Sequence, residues 1–307
     1  MTQVQAPIVV GAEKQLARPQ RNRKPWRPAR APLHIALILI MAAWLIPTIG
    51  VLIASFRTAA DTNTGGWWTA LVPPWEFTFQ NYDYVLNRAG FWASFLNSFV
   101  ITIPATALVV MVAAFAAYAF AWMNFRGRNV LFVIFVGLLV VPLQVTLIPV
   151  LTLFRDFSIG GFQLNGTILA VWLAHTGYGL PFGVYLLRNY MGGLPKSVFE
   201  AAAVDGAGPA TSFFRLALPM SIPGIAALTI FQFLWVWNDL LIALVYLGPV
   251  PENHPLSVTL ANLTTNFGGN WQFLAAAAFV SMIIPIAVFF SLQRYFVRGM
   301  TAGAVKG

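Results

Sequence analysis

The chain has no cysteine and very little charge: of its 307 residues only 9% are Asp, Glu, Lys or Arg, and nine are acidic. The first absence excludes disulfides, thiolate nucleophiles and Cys-ligated metals. The second excludes an ordinary soluble domain, in which roughly a quarter of residues are charged. With 59% hydrophobic residues there is too little polar surface to clothe a core in water, so an apolar solvent must face the rest. A P-loop is missing too. None of the four lysines (Lys14, Lys24, Lys196, Lys306) follows a glycine, and the phosphate cradle requires Gly-Lys followed by Ser or Thr. The three histidines, His34, His175 and His254, lack metal-ligand spacing, so no metal site is expected. No Ser/His/Asp or paired-carboxylate constellation points to catalysis, and no ten-residue alternation points to a membrane barrel.

What the sequence does contain is apolar runs. Uncharged stretches at 31–56, 89–125, 129–154, 157–187, 216–238 and 253–293 each exceed the roughly 20 residues that a spanning helix needs. Their most apolar parts are Leu33–Phe56, Phe95–Trp122, Val130–Phe154, Thr167–Leu187, Ile222–Leu247 and Phe273–Phe296. They predict an all-α integral membrane protein with six transmembrane helices, because lipid-exposed backbone must satisfy its own hydrogen bonds. The first run is too long and begins too late to be a cleavable signal. Pro47, Pro104, Pro142, Pro149, Pro181 and Pro285 are expected to kink the spans.

Fifteen of the 18 basic residues fall on one side of this scheme: in the tail 1–32, the 123–129 turn, the 188–217 loop and the C-terminal end. The positive-inside rule then puts both termini and the 188–217 loop in the cytoplasm, with 57–92, 155–166 and 248–270 outside. The formal charge of +9 is therefore a topology signal. The basic tail, placed just before a span, reads as a segment for lipid headgroups and not for nucleic acid.

One cytoplasmic loop, 188–223, has a pattern of its own. Ser197 with Glu200 three residues on forms a capping-box pattern that opens a helix. Ala201 and Ala202 continue it, and Gly206 with Gly208-Pro209 closes it after about two turns. A helix that short needs a partner. Val198, Ala201, Ala202 and Asp205 share a face whose small side chains let another surface approach closely.

Glu200-Ala201-Ala202, Asp205-Gly206-Ala207 and Leu218-Pro219 resemble the coupling motif of permease subunits of ABC importers. Trp237-Asn238-Asp239 and the C-terminal tail are similar to the carbohydrate-uptake branch, the smaller six-span permease of the maltose-transporter type. The resemblance covers roughly 33–307. It implies a type I importer permease fold, with a basic tail (1–32), a spanning domain (33–298) and a C-terminal tail (299–307). It further implies alternating-access uptake of a mono- or oligosaccharide, such as an α-glucoside or a maltose-like sugar, across a bacterial or archaeal cytoplasmic membrane. The chain itself would not be an enzyme and would hold no cofactor: ATP and Mg would sit on a partner ATPase dimer. A second homologous permease, an extracytoplasmic sugar-binding protein and membrane lipid would complete the assembly. Ser197, Glu200, Ala201, Ala202, Asp205, Gly206, Leu218 and Pro219 would couple to the ATPase, and Thr301, Ala302, Gly303 and Lys306 would reach along it. Gly206 would let the chain reverse beside the ATPase without a Cβ in the way. Glu200 has two readings, a cap or an exposed carboxylate that pairs with the ATPase.

Polar residues within spans are costly and mark functional candidates. Asp239, the one acid within a predicted span, lies beside Trp235, Trp237 and Asn238. Rings with amide and carboxylate neighbours suit a sugar; an interfacial aromatic belt is the other reading. Gln144 and Gln232 are further pathway candidates. Outside, 57–92 (Trp67-Trp68, Pro73-Pro74-Trp75) is long enough to fold on the membrane surface. By resemblance, 248–270 contacts the binding protein. A stand-alone secondary transporter or channel for a small polar solute is the competing class, although no internal repeat supports it.

Overall fold

The computed structural model describes residues 31–87, 90–266 and 271–304; the basic tail lies outside them. The chain divides into two units, one ending at Thr48 and the other beginning at Ile49. Helix α1, Ala31–Ser55, has no charged residue and carries Pro47. Up to Thr48 its large apolar side chains point outward on every face, from Leu33 to Trp44 at 79% exposure. Such a helix is stable only where its surroundings are apolar.

The second unit continues from α1 into a segment of short pieces: α2 (Ala59–Thr64), a 3-10 turn (Trp67–Leu71) and α3 (Gln80–Asn87). Buried Arg57 organises it by donating to the carbonyls of Gly65 and Gly66 (3.2 and 2.8 Å) and to Thr69 Oγ1 (3.0 Å). Asn81 donates to the Ser55 and Arg57 carbonyls. The long helix α4 (Phe91–Trp122) follows, then α5 (Arg128–Leu138), α6 (Leu143–Asp156) and a two-stranded hairpin, β1 (Ser158–Ile159) with β2 (Phe162–Gln163). Helix α7 (Ile168–Gly192) leads to the 188–223 loop, made of α8 (Lys196–Val204), α9 (Pro209–Ser212), a π-helical turn (Phe213–Ala217) and α10 (Leu218–Met220). The chain ends with α11 (Ile222–Trp237), α12 (Leu241–Leu247), α13 (Leu256–Asn266) and α14 (Trp271–Ala304).

Helices α4, α7 and α11 form the centre, and small residues let them do so. Ala105, Val109, Ala113 and Ala117 recur every fourth residue on α4 and are fully buried. Gly183 of α7 faces them: a Cβ there would sit 2.9 Å from Ala113 Cβ and 3.3 Å from Leu228 of α11. A Cβ at Gly179 would meet the Gln232 amide at 2.8 Å, and one at Gly224 would meet the Tyr190 ring at 2.7 Å. In lipid, where apolar surface gains little by leaving its solvent, this backbone-close packing is what holds helices together.

Among the described residues three helices are long and apolar enough to cross a membrane, Ala31–Ser55, Phe91–Trp122 and the Trp271–Gln293 part of α14, and up to five if two bent pairs each count as one span. The remaining expected span is α7, which has the length (25 residues) but carries His175 and several hydroxyl groups. Two predicted spans are not continuous helices. Val130–Phe154 breaks between α5 and α6 with a 104° bend, at Pro142, which has no N–H to donate and bars helical geometry in the residue before it. Ile222–Leu247 breaks at 238–240, where side chains take over backbone partners: Asn238 Nδ2 donates to the Leu234 carbonyl (2.7 Å), and Asp239 caps the next helix.

Candidate functional site

The 188–223 loop is structured, as its sequence predicts, but its helix starts differently. Helix α8 begins at Lys196 behind Pro195, with no side-chain cap. Ser197 is thus already inside the first turn, so the capping box it was expected to form with Glu200 does not exist. Pro195, with its fixed φ, starts the helix two residues early. Glu200 is exposed and makes no hydrogen bond among the described residues, which leaves its carboxylate free for another molecule.

The C-terminal end closes as expected. Gly206 has φ +81°, Gly206 N–H donates to the Ala203 carbonyl (3.1 Å) and Ala207 N–H to the Ala202 carbonyl (2.8 Å). This is the Schellman arrangement, in which the residue after the cap is left-handed and glycine is strongly favoured. No atom lies within 4 Å of where a Gly206 Cβ would be, so within this chain the requirement is conformational, not steric.

The two faces of α8 differ. Val198, Ala201, Val204 and Asp205 are exposed, Val204 at 88%, and Ala202 is half-buried. Phe199 is the one buried residue of the helix. Its ring stacks on Trp122 at the end of α4, centroids 3.8 Å apart and planes 20° apart. Sequence reasoning missed this anchor; the signal available was a lone aromatic in a helix of small residues. Further on, Leu218 is half-buried and Pro219 exposed. The C-terminal positions Thr301, Ala302 and Gly303 continue the α14 backbone helix, and Lys306 lies outside the described residues.

A second polar locus forms where the broken helices meet α7. Asp239 Oδ2 accepts from Ile242 N–H (3.0 Å) and Ala243 N–H (3.2 Å), opening α12. His175 Nε2 stands 3.7 Å from the same oxygen, and the His175 ring lies edge-on to Trp235 (5.4 Å, 88°). Beside them is a cavity of about 330 Å³ lined by Leu139, Thr146, Gly177, Tyr178, Pro181 and Trp235. Thr146 Oγ1 donates to Tyr178 OH (3.1 Å), and Tyr178 OH pairs with Tyr246 OH (2.9 Å), tying α6, α7 and α12 together. Discontinuous helices around a mid-chain cavity are a recurring way to build a solute site in a membrane. A half-exposed indole face with two hydroxyls matches the C–H face and hydroxyls of a sugar.

The other sequence candidates fall elsewhere. Trp237 is buried, donates to the Ser281 carbonyl (3.2 Å) and packs among Phe95, Phe99 and Phe233, so it holds α11 against α14. Gln232 is buried against Gly179, and Gln144 is exposed in the first turn of α6. Asn238 is exposed, its amide spent on the Leu234 carbonyl. Thr146, Tyr178 and Tyr246 were not singled out in the sequence, although the cost of placing polar groups in a membrane applies to them as much as to Asp239.

At the opposite end of α4 from the α8 contact, the turn Pro251–Asn253 and α13 are fastened to it. Asn97 Nδ2 donates to the Glu252 carbonyl (2.6 Å) and the His254 carbonyl (3.2 Å), and Leu256 N–H donates to Ser98 Oγ (2.8 Å).

Apolar helices with broken spans, a mostly apolar cavity beside the breaks that offers the hydroxyls of Thr146 and Tyr178, and a short, largely exposed helix closed by a Schellman turn define a membrane permease. Residues 109–302 match the binding-protein-dependent transport system inner membrane component family, and the chain belongs to that family. The osmoprotective compounds uptake permease protein GgtD of Synechocystis sp. is 52% identical over 288 residues, 93% of this chain and 95% of that one. The alpha-glucoside transport system permease protein AglG of Rhizobium meliloti is 49% identical over 261 residues, 82% and 68% of the two chains. The fold is shared with a bacterial ABC transporter involved in import of the acidic polysaccharide alginate: TM-score 0.69 at 23% identity, over 88% of this chain and 99% of that one. The fold is thus the type I importer permease fold, and the protein is an inner-membrane transport subunit and not an enzyme. Dependence on a binding protein sets aside the stand-alone transporter.

Proposed function

We propose that this chain forms half of the pathway of an ATP-driven sugar importer, with an α-glucoside-type solute as cargo, and that α8 seats in a cytoplasmic ATPase. The observation that carries this reading is the division of α8 into a face committed to its own chain through Phe199 and a free face of Val198, Ala201, Val204 and Asp205. A nine-residue helix does not hold itself together in water, and its free apolar face calls for a protein groove. Asp205 and Glu200 border that face and suit basic groups on the ATPase, while Ser197, Ala202, Gly206, Leu218 and Pro219 shape the helix and its return to the membrane. The tail with Thr301, Ala302, Gly303 and Lys306 is assigned to the same interface. ATP and Mg belong to the ATPase dimer. A second permease of the same fold completes the pathway, and the segment from 248 through α13 meets the binding protein. Both termini are cytoplasmic, as the distribution of basic residues supports.

The cargo assignment is supported by the relative that transports alpha-glucosides and by the cavity at Trp235, Tyr178 and Thr146. The test is purification of the tagged chain from its native membrane with mass spectrometry of what accompanies it, alongside uptake of radiolabelled maltose by cells with and without the gene. Recovery of an ATPase and a second permease, with uptake lost on deletion, is the expected result. Recovery of neither overturns the assembly; intact maltose uptake with loss of an unrelated solute overturns the cargo.

A further inference from the structure

Helix α4 is in contact with both loops that face other proteins. Its 32 residues extend about 48 Å at 1.5 Å per residue, beyond a hydrocarbon layer of about 30 Å. At its inner end Phe115, Tyr118 and Trp122 share one face, three and four residues apart. Each grips the coupling loop at a different point. Phe115 stacks on Phe213 (4.8 Å, 27°), Tyr118 OH donates to the Pro209 carbonyl (3.1 Å), and Trp122 stacks on Phe199 while its Nε1 donates to the Met191 carbonyl (3.0 Å). The loop is therefore held before, on and after α8.

The outer end repeats the pattern with hydroxyls and an amide. Asn97 and Ser98 hold 252–256 through the bonds already given, and Thr259 Oγ1 donates to Ser94 Oγ (2.7 Å). Between the ends, the fully buried row Ala105, Val109, Ala113 and Ala117 lies against α7, and Trp172 Nε1 of α7 donates to the Val100 carbonyl (2.9 Å). Close-packed interiors transmit displacement because they have no slack to absorb it.

We propose that α4, stiffened by α7, is a strut through which occupancy of the outer loop biases the seating of α8 on the ATPase. This rests on the docking roles proposed above for those two loops. Such linkage is a coupling free energy and acts equally in both directions. Binding protein at the outer loop raises ATPase activity, and nucleotide at the ATPase raises affinity for the binding protein, through the same helix.

The complete transporter in nanodiscs tests this, with Asn97→Ala combined with Ser98→Ala at one end and Trp122→Ala or Trp122→Phe at the other. At saturating binding protein, the maximal stimulation of ATPase activity should fall at least about fivefold in the double variant and in Trp122→Ala, the low end of measured couplings. Trp122→Phe, which keeps a ring on Phe199, should restore most of it. The enhancement of binding-protein affinity by a non-hydrolysable nucleotide should fall as well, and by the same factor as the enhancement of nucleotide affinity by the binding protein. If the maximal stimulation is unchanged and only the binding-protein concentration needed for it rises, α4 merely shapes the outer loop and the strut is refuted. Should Trp122→Ala fail to assemble, the double variant decides alone. A wild-type complex without an ATPase, or without stimulation, overturns the docking reading instead.

Discussion

Gly206 offers a perturbation whose cost is calculable from backbone geometry. Its φ of +81° is open to glycine, tolerated by asparagine and costs other L-residues roughly 1–2 kcal/mol, with β-branched residues worst. The space around a Cβ is empty within the chain, so no steric term is added there. If the strain is relieved by unwinding, the two bonds to Ala203 and Ala202 are lost from a helix with no cap at its other end. A loss of 1–2 kcal/mol corresponds to about 5- to 30-fold in the population of the seated helix. Uptake of labelled α-glucoside into proteoliposomes, normalised to assembled complex, should therefore fall in the order Gly206, Gly206→Asn, Gly206→Ala, Gly206→Val. Gly208 is the control: its φ of −72° is ordinary and no atom crowds a Cβ, so Gly208→Ala should be neutral within about 0.5 kcal/mol. An order that follows side-chain volume, with Ala tolerated better than Asn, would refute the conformational argument and place the requirement in the ATPase groove.

Three further outcomes are expected. Asp239→Ala removes the acceptor for two α12 N–H groups and should cost about 0.5–2 kcal/mol, read as a lower melting temperature of the purified complex and reduced uptake. Asp239→Asn should recover the stability, and full recovery of uptake as well would show that the cap, and not the charge, is what transport needs. Gly183→Val places a Cβ 2.9 Å from Ala113 and should destabilise the complex by about 1–3 kcal/mol through overpacking, whereas Gly177→Ala, with nothing within 4 Å, should leave thermal stability unchanged. Arg57→Ala strips buried carbonyls of a charged donor, at about 1–3 kcal/mol, and should make 57–87 sensitive to protease added outside; resistance equal to wild type would mean that the segment is held by its aromatic contacts instead.

Much of this architecture can be read from the sequence, for a physical reason: spans are made of uncharged runs, and charge is too costly in lipid to be scattered. The breaks cannot be read in the same way. Pro142 announces a kink, but a 104° turn depends on what α5 and α6 pack against. Asp239 stands out as an acid in an apolar run, yet its partners are the N–H groups of a helix that exists only because the run breaks there. Helix α8 shows both outcomes. Its glycine end was legible because φ > 0 has a strong residue preference, while its start was misjudged because Pro195 outweighed a side-chain pattern. Its anchor on Trp122 is 77 positions away in sequence, beyond the reach of any local rule.

The two faces of α8 also bear on how such transporters would diversify. Phe199 and the Schellman turn are set by contacts and geometry within the chain itself, whereas Val198, Ala201 and Val204 are exposed on the face proposed above for the ATPase. If that face is the ATPase contact, substitutions on it would retune the choice of motor without disturbing the mount, through a few exposed side chains on a fixed frame.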